Sequence, residues 1–291
     1  LIAAWTPRVG CEAAPSVADL GGPAPYWLEW TIDAVGNRLS ETEHTAAGDI
    51  VRDYETPGSG PGASQPHTLT AVTTTAPGQE GITTRYAYDS VGNTVCRPAG
   101  AAANSCTDGT GSQALTWDPE GRLATVAVGG EVVQTNIYDA EGTRLIRRDS
   151  TGTTLYLPGM ELRREAGTVT ATRYYTFGSG TIAARTPAGL SWLFSDHQGT
   201  QDVSVDAVTQ QATYRRQTPY GGRRGDAVTW PTTKGFVGGT NEPTGLVHIG
   251  ARQYDPGTGR FLSVDPVMDL TDAQQIHGYA YSNNSPVTFS D

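Results

Sequence analysis

The chain has 291 residues, of which 30 are acidic and 20 basic, for a formal net charge of −10. A general nucleic-acid binder needs the opposite charge balance, so that class of partner is excluded. The 36 glycines and 18 prolines show no G-X-Y period, which excludes collagen and favours a turn-rich β protein. No run of about 18 apolar residues occurs, so the sequence predicts no membrane-spanning helix.

A short pattern recurs along the first half of the chain: an aromatic or β-branched stretch, an aspartate, two variable residues and a glycine. The copies carry the pairs Asp33 and Gly36, Asp89 and Gly92, Asp118 and Gly121, and Asp139 and Gly142. An aspartate can close a turn with its own carboxylate, and a glycine three positions later supplies the positive φ that a tight reversal needs. Each copy therefore predicts a β-hairpin.

The segments between these turns alternate in polarity. Leu123–Val128 and Thr168–Phe177 are examples, and threonine, valine and tyrosine dominate such stretches. A period of two with these residue types is typical of β-strands. Helical periodicity is confined to residues 269–276. The sequence thus predicts an all-β fold in which one strongly twisted antiparallel sheet spirals as each hairpin pairs with the next.

The cysteines give information about the cellular compartment of the protein. Cys96 and Cys106 bracket a turn-rich insert whose ends could meet across neighbouring strands. The sequence leaves open a disulfide between them or two free thiols, and Cys11 either pairs outside this chain or stays free. A disulfide would indicate an exported protein, secreted or held at the cell surface.

The recurring pattern resembles the YD repeats of Rhs proteins, of the shell-forming component of insecticidal ABC toxins, and of teneurins. The C-terminal third is similar to the Rhs-associated core domain. The matching motif residues are His197, Gly199, Arg252, Tyr254, Asp255 and Arg260, in the stretches SDHQGT, GARQYDP and GRFLSVDP. This resemblance divides the chain into a YD-repeat segment at 1–190 and a core domain at 191–291.

The resemblance implies a structural role. In this family the repeats coil into a hollow β-shell, the core domain closes one end as a cap or plug, and a variable C-terminal toxin is held inside. The implied partners are the N-terminal remainder of the shell and the C-terminal toxin of the same polypeptide, or another copy of the chain. We interpret the start without methionine and the abrupt end as the cut ends of a longer protein.

The resemblance also implies self-cleavage by two aspartates, in the manner of an aspartic protease. The first matching position is Asp265, where Met268 replaces the glycine of the family, and the second is Asp291. Such a pair needs one charged and one protonated carboxyl group at close range, the first to activate water and the second to donate a proton. The scissile bond would lie beyond this chain, so the chain alone is at most an incomplete autoprotease.

The sequence does not settle which two aspartates form the catalytic pair. Asp269 and Asp272 are close enough in sequence to replace either carboxylate. Arg252 or Arg260 could bias the proton by lying beside a carboxylate, or could be solvated or strand-pairing side chains.

Other functions remain as alternatives. The run Ser195, Asp196 and His197 lacks the surroundings of a nucleophile elbow, so we assign His197 to a turn. The five histidines have no metal-ligand spacing, and neither a metal nor a cofactor is predicted. The alternative function is an extracellular module that binds a carbohydrate or a cell-surface receptor. Tyrosine and tryptophan at the turn starts could form its sugar-binding surface, or could pack inward along the sheet.

Overall fold

The computed structural model of the protein describes residues 1–58, 60, 62–266 and 275–289. Its regular structure is almost entirely antiparallel β-sheet, which confirms the predicted fold class. The described residues form 25 strands and no α-helix. The short 3-10 turns are Val17–Asp19, Phe236–Gly238, Gln275–His277 and Tyr281–Asn284. No helix in this described part is long and apolar enough to cross a membrane.

The first sheet has six strands, and each pairs with the next strand of the chain. They are β1 (Ala3–Trp5), β2 (Trp27–Ile32), β3 (Arg38–Thr45), β4 (Gly48–Glu55), β5 (Ala71–Thr75) and β6 (Ile82–Arg85). Local hairpin pairing of this kind needs no crossover connection.

The second sheet has 13 strands, again in chain order. They are β7 (Ala87–Tyr88), β8 (Thr94–Pro98), β9 (Ser112–Trp117), β10 (Leu123–Val128), β11 (Glu131–Tyr138), β12 (Arg144–Asp149), β13 (Gly152–Leu157), β14 (Met160–Glu165), β15 (Thr168–Phe177), β16 (Gly180–Thr186), β17 (Gly189–Ser195), β18 (Gln201–Asp206) and β19 (Ala212–Tyr214). This sheet runs past residue 190, so the division into 1–190 and 191–291 stays a prediction.

The strands therefore form two large sheets where the sequence predicts one continuous sheet. The interruption lies at Tyr86, between β6 and β7. The ring of Tyr86 packs against the buried cluster of Tyr54, Leu69 and Val72, and its backbone N–H donates to the carbonyl of Thr70. Burial of this ring holds residue 86 on the first sheet, and strand pairing resumes at Ala87.

The repeat turns are closed by their aspartates. At Asp89, Oδ1 accepts the backbone N–H groups of Val91 at 3.0 Å and Asn93 at 2.8 Å. Gly92 donates its N–H to the carbonyl of Asp89 at 3.2 Å and has a φ of 93°. Corresponding carboxylate bonds close the turns at Asp33, Asp118 and Asp139.

The same reversal recurs in the C-terminal third, mostly without an aspartate. It is found at residues 196–199, 218–221, 235–238 and 242–245, where the glycine at the fourth position donates to the carbonyl of the first. At Thr218 the hydroxyl oxygen replaces the carboxylate and accepts the N–H of Gly222 at 3.0 Å. The turn geometry therefore persists where the sequence pattern is lost.

After β19 the chain reverses direction. Two small sheets follow, with strands β20 (Arg216–Gln217), β21 (Arg223–Arg224), β22 (Thr240–Asn241), β23 (Val247–Ile249), β24 (Arg252–Asp255) and β25 (Arg260–Phe261). We call the described residues from 218 onward the return segment. It contacts the large sheets in reverse order: Thr233 meets β14, Glu242 meets β12, Asp255 meets β8 and Thr258 meets β3.

The hydrophobic core lies between the return segment and the sheets. Leu115, Leu123 and Val126 of the second sheet pack with Leu246 and Leu262 of the return segment. A second cluster lies within the return segment itself and consists of Phe236, Val247, Tyr254, Phe261 and Tyr281. Burial of the first cluster fixes the return segment against one face of the large sheets, which we call the wall, and the second cluster is the core of the segment itself.

The Sγ atoms of Cys96 and Cys106 form a disulfide, with Cα atoms 5.7 Å apart, and Cys11 is free and exposed. The bridge closes a short loop, so reduction is expected to lower the free energy of unfolding by about 3 kcal/mol. Urea unfolding with and without dithiothreitol measures this loss. A Cys96→Ala/Cys106→Ser variant is the control and should not respond to the reductant. An equal midpoint for the oxidised and reduced parent would contradict the prediction.

Candidate functional site

Asp265 lies where the described part of the return segment breaks off before residues 267–274. Its Oδ2 is 2.8 Å from Nη2 of Arg252. Its backbone N–H donates to the carbonyl of Gly278 at 2.9 Å, and Nη1 of Arg252 donates to the same carbonyl at 3.3 Å. Arg252 thus places a positive charge and a hydrogen-bond donor beside this carboxylate.

The position of Arg252 is fixed by the aromatic core. Its guanidinium carbon lies 3.6 Å from the ring centroid of Phe261, which is buried. A guanidinium over an aromatic face is attracted by the ring quadrupole. Arg260 takes a different position: it is buried, lies 5.0 Å from the ring centroid of Tyr279 and donates to the backbone carbonyl of His67. Arg252 is therefore the arginine that lies beside Asp265.

The other members of the predicted catalytic set lie outside the described residues. These are Asp291 and the two alternatives, Asp269 and Asp272, together with Met268. The helical periodicity predicted at 269–276 falls almost wholly in the same gap. The carboxylate pair therefore stays a prediction.

Two further motif residues have structural contacts. Asp255 Oδ2 is 2.9 Å from Nη2 of Arg97, and its Oδ1 accepts the N–H of Gly257. Tyr254 is fully buried and donates its hydroxyl to the carbonyl of Tyr220 at 2.8 Å. Asp255 thus ties the return segment to β8, and Tyr254 joins two parts of the return segment to each other.

His197 is exposed in the turn between β17 and β18. The bonds of that turn come from Asp196, whose Oδ1 accepts the N–H groups of Gln198 and Thr200, each at 2.9 Å. Gly199 has a φ of 86°, which explains the glycine at that position. The turn is another copy of the repeat reversal.

A buried ionic cluster is the feature that the sequence does not predict. The side chain of Glu242 is fully buried between Arg144, at 2.6 Å, and Arg147, at 3.4 Å. Arg147 also lies 3.2 Å from Asp149, whose other oxygen is 2.6 Å from Arg163. The cluster therefore joins the return segment to β12, and β12 to β14 across the intervening β13, through paired charges.

Protonation in the cluster follows from these contacts. Burial opposes ionisation of Asp149, but hydrogen bonds from Arg163 and Thr151 outweigh it and lower the pKa of Asp149 to about 2. Burial, reinforced by the charge of Arg144, lowers the pKa of nearby His248 well below its usual value. At neutral pH Asp149 is thus ionised and the imidazole of His248 is neutral.

Aromatic residues at the turn starts pack inward. Trp30 is 3% exposed and contacts Leu28 and Tyr220, and Trp117 packs against the cluster around Leu115. At Trp30 and Trp117 the inward-packing alternative therefore holds, because these rings lie in or against the buried core. In the described part of the chain, no group of three or more His, Cys, Asp or Glu side chains is arranged to hold a metal.

Comparisons with known proteins relate the chain to toxins. No protein-family profile matches it. It is 26% identical over 213 residues to toxin subunit YenC2 of Yersinia entomophaga. The aligned region covers 62% of this chain and 22% of that subunit. It is 29% identical over 190 residues to the tRNA3(Ser)-specific nuclease WapA of Bacillus spizizenii. That alignment covers 61% of this chain and 8% of WapA. The chain thus spans only a small part of these curated relatives.

Solved structures share its fold. The crystal structure of TcdB2-TccC3 matches with a TM-score of 0.62 and 19% identity, over 91% of this chain and 16% of that one. The Tc holotoxin pore of Photorhabdus luminescens matches with a TM-score of 0.61 and 18% identity, over 91% of this chain and 15% of that one. The chain is therefore related to Rhs-containing ABC toxin subunits, and it has the fold of the Tc toxin shell.

Proposed function

We propose that this chain is part of the wall of a toxin shell, which encapsulates a C-terminal effector and delivers it. The observation that carries the proposal is the return segment, which lies along one face of the strands and is tied to them by core packing and buried ion pairs. A segment that lies on one face of the wall in this way is in the position expected of a cap or plug. The proposed partners are further shell repeats and the effector of the same polypeptide, or a second copy.

We further propose that the effector is released by autoproteolysis. In this scheme one carboxylate of the pair takes a proton from water, whose oxygen adds to the carbonyl carbon of the scissile peptide. The other carboxyl group donates a proton to the departing amine nitrogen as the C–N bond breaks. Asp265, held beside Arg252, supplies one carboxylate, and Asp291 is the proposed second one.

A denaturing gel of the whole natural gene product tests the cleavage. We expect two bands for the parent and one full-length band for Asp265→Asn and for Asp291→Asn, because an amide cannot take either role. Asp226→Asn is the matched control, since Asp226 is an exposed aspartate of the return segment, and it should cleave like the parent. A single band in every sample, or two bands in every sample, would refute the proposed pair.

Encapsulation has a separate test. Limited proteolysis of the whole gene product should leave the C-terminal fragment intact under native conditions and degrade it after mild denaturation. Immediate digestion of that fragment in the native protein would contradict the shell function, whatever the result for cleavage. The disulfide supports export of the protein, either secreted or held at the cell surface.

A further inference from the structure

The second sheet has one face that the return segment does not cover. On the covered face, Glu161 and the hydroxyl of Tyr174 bond the side chain of Thr233. Because alternate side chains of a strand lie on opposite faces, Leu162 and Tyr175 belong to the other face. We call that second face of β12–β19 the arginine–aromatic face.

On β12–β16 the charged residues of this face are all basic. Arg148, Arg164, Arg173 and Arg185 lie on it and are exposed. The acidic residues of β12–β16, which are Asp149, Glu161 and Glu165, alternate onto the covered face, so the arginine–aromatic face of these five strands includes no aspartate or glutamate. Asp202 lies at a β-bulge of β18, beyond the strands that hold the arginines. This basic surface contrasts with a chain whose net charge is −10.

Two of the arginines are directly opposed. Arg173 of β15 pairs in register with Arg185 of β16, so their side chains are neighbours on one face. Like charges in this position destabilise a strand pair. Neither arginine forms an ion pair with another described residue. A bound anion would remove the repulsion.

The same face exposes large aromatic rings. Trp192 is 42% exposed, Phe194 is 54% exposed and Tyr214 is 52% exposed. Trp192 and Phe194 alternate along β17, and Phe194 and Tyr214 both align with Val203 of β18. Next to the arginines, the guanidinium carbon of Arg173 lies 5.6 Å from the ring centroid of Tyr175. Exposed aromatic groups of this kind mark interaction sites.

We propose that the arginine–aromatic face binds an acidic polysaccharide, a polymer of sugar rings that carry carboxylate or sulfate groups. The arginines lie on four strands from β12 to β16, a width of about 20 Å at the usual strand spacing. A small anion cannot reach across this distance, whereas an extended polymer can contact the cations together and gain from multivalency. The exposed rings supply flat apolar surfaces for the sugar rings. This binding is independent of the proposed autoproteolysis.

The test uses the full 291-residue chain and defined probes. Dextran sulfate and polygalacturonate distinguish sulfate from carboxylate, neutral dextran controls for the sugar backbone, and phosphatidylglycerol vesicles test a lipid surface. We expect at least one of the two polyanions to bind, with Kd rising as salt is added. Neutral dextran and the vesicles should not bind.

Variants locate the binding surface. Arg173→Glu/Arg185→Glu should raise Kd by at least about tenfold, because it reverses two of the charges that attract the polymer. Trp192→Ala/Phe194→Ala should also raise Kd, with the larger relative effect at high salt. Arg8→Glu is the matched control, since Arg8 is exposed in another part of the chain, and it should bind like the parent.

The proposal fails if the double arginine variant binds as tightly as the parent, if neutral dextran binds equally well, or if the vesicles bind and neither polyanion does. Circular dichroism and the thermal midpoint establish that each variant is folded. If the double variant is unfolded, Arg164→Glu replaces it, because this single exposed change removes one cation of the same face.

Discussion

Replacing Glu242 with alanine is expected to lower the free energy of unfolding by about 3–5 kcal/mol. The carboxylate is fully buried, and its oxygens lie 2.6 Å from Arg144 and 3.4 Å from Arg147. Its removal leaves the buried guanidinium of Arg144 without its counter-charge, and leaves Arg147 with Asp149 as its one remaining acidic partner among the described residues. Because Glu242 belongs to the return segment, the same change also loosens that segment from β12.

Urea unfolding of the purified chain measures this loss. Glu242→Gln should fall between the parent and the alanine variant, since the amide keeps hydrogen-bond acceptance but not charge. Glu120→Ala is the control: Glu120 also pairs with an arginine, Arg122, but its side chain is 67% exposed and the ion pair is screened by water. If Glu242→Ala were no more destabilising than Glu120→Ala, the buried cluster would not stabilise the fold.

Tyr254→Ala is the second change with a large expected effect, also about 3–5 kcal/mol. The ring lies at the centre of the aromatic cluster, with ring centroids of Phe236, Phe261 and Tyr281 within 5.5 Å. Truncation leaves a cavity that these rings can fill only in part. The return segment would lose the centre of its own core.

Tyr254→Phe separates packing from hydrogen bonding. It keeps the ring but leaves the buried carbonyl of Tyr220 without its donor at 2.8 Å, a loss of about 1–3 kcal/mol. Phe177→Ala is the control, because that ring is 80% exposed and should hardly matter. Thermal and urea unfolding of the variants give the order alanine, phenylalanine, parent from least to most stable. Equal losses for Tyr254→Ala and Tyr254→Phe would contradict this account.

Local features of the fold could be predicted from the sequence. An aspartate followed three residues later by glycine encodes its own turn, because donor, acceptor and positive φ all lie within four residues, as at Asp89 and Gly92. Alternation in polarity then assigns the flanking strands. The predicted relation to ABC toxin subunits was confirmed by the toxin relatives.

Long-range features could not be predicted in this way. Glu242 and Arg144 are 98 residues apart in sequence, and isolated charges of this kind are usually exposed. Glu242 occupies the first position of a repeat turn, where an aspartate would bond its own backbone. That departure from the pattern was the one available signal of a different partner. The break at Tyr86 is likewise decided by how a ring packs, which polarity alternation does not encode.

The path of the return segment has a consequence for how the protein is made. Asn284 donates to the carbonyl of Gly36, and Arg38 to that of Thr258, so strands formed early are completed by residues synthesised 248 and 220 positions later. During translation the hairpins can form one after another, but these closing contacts must wait until residues 258 and 284 have been synthesised. Such high contact order slows the last step of folding and leaves the nascent wall open to chaperones and proteases until then.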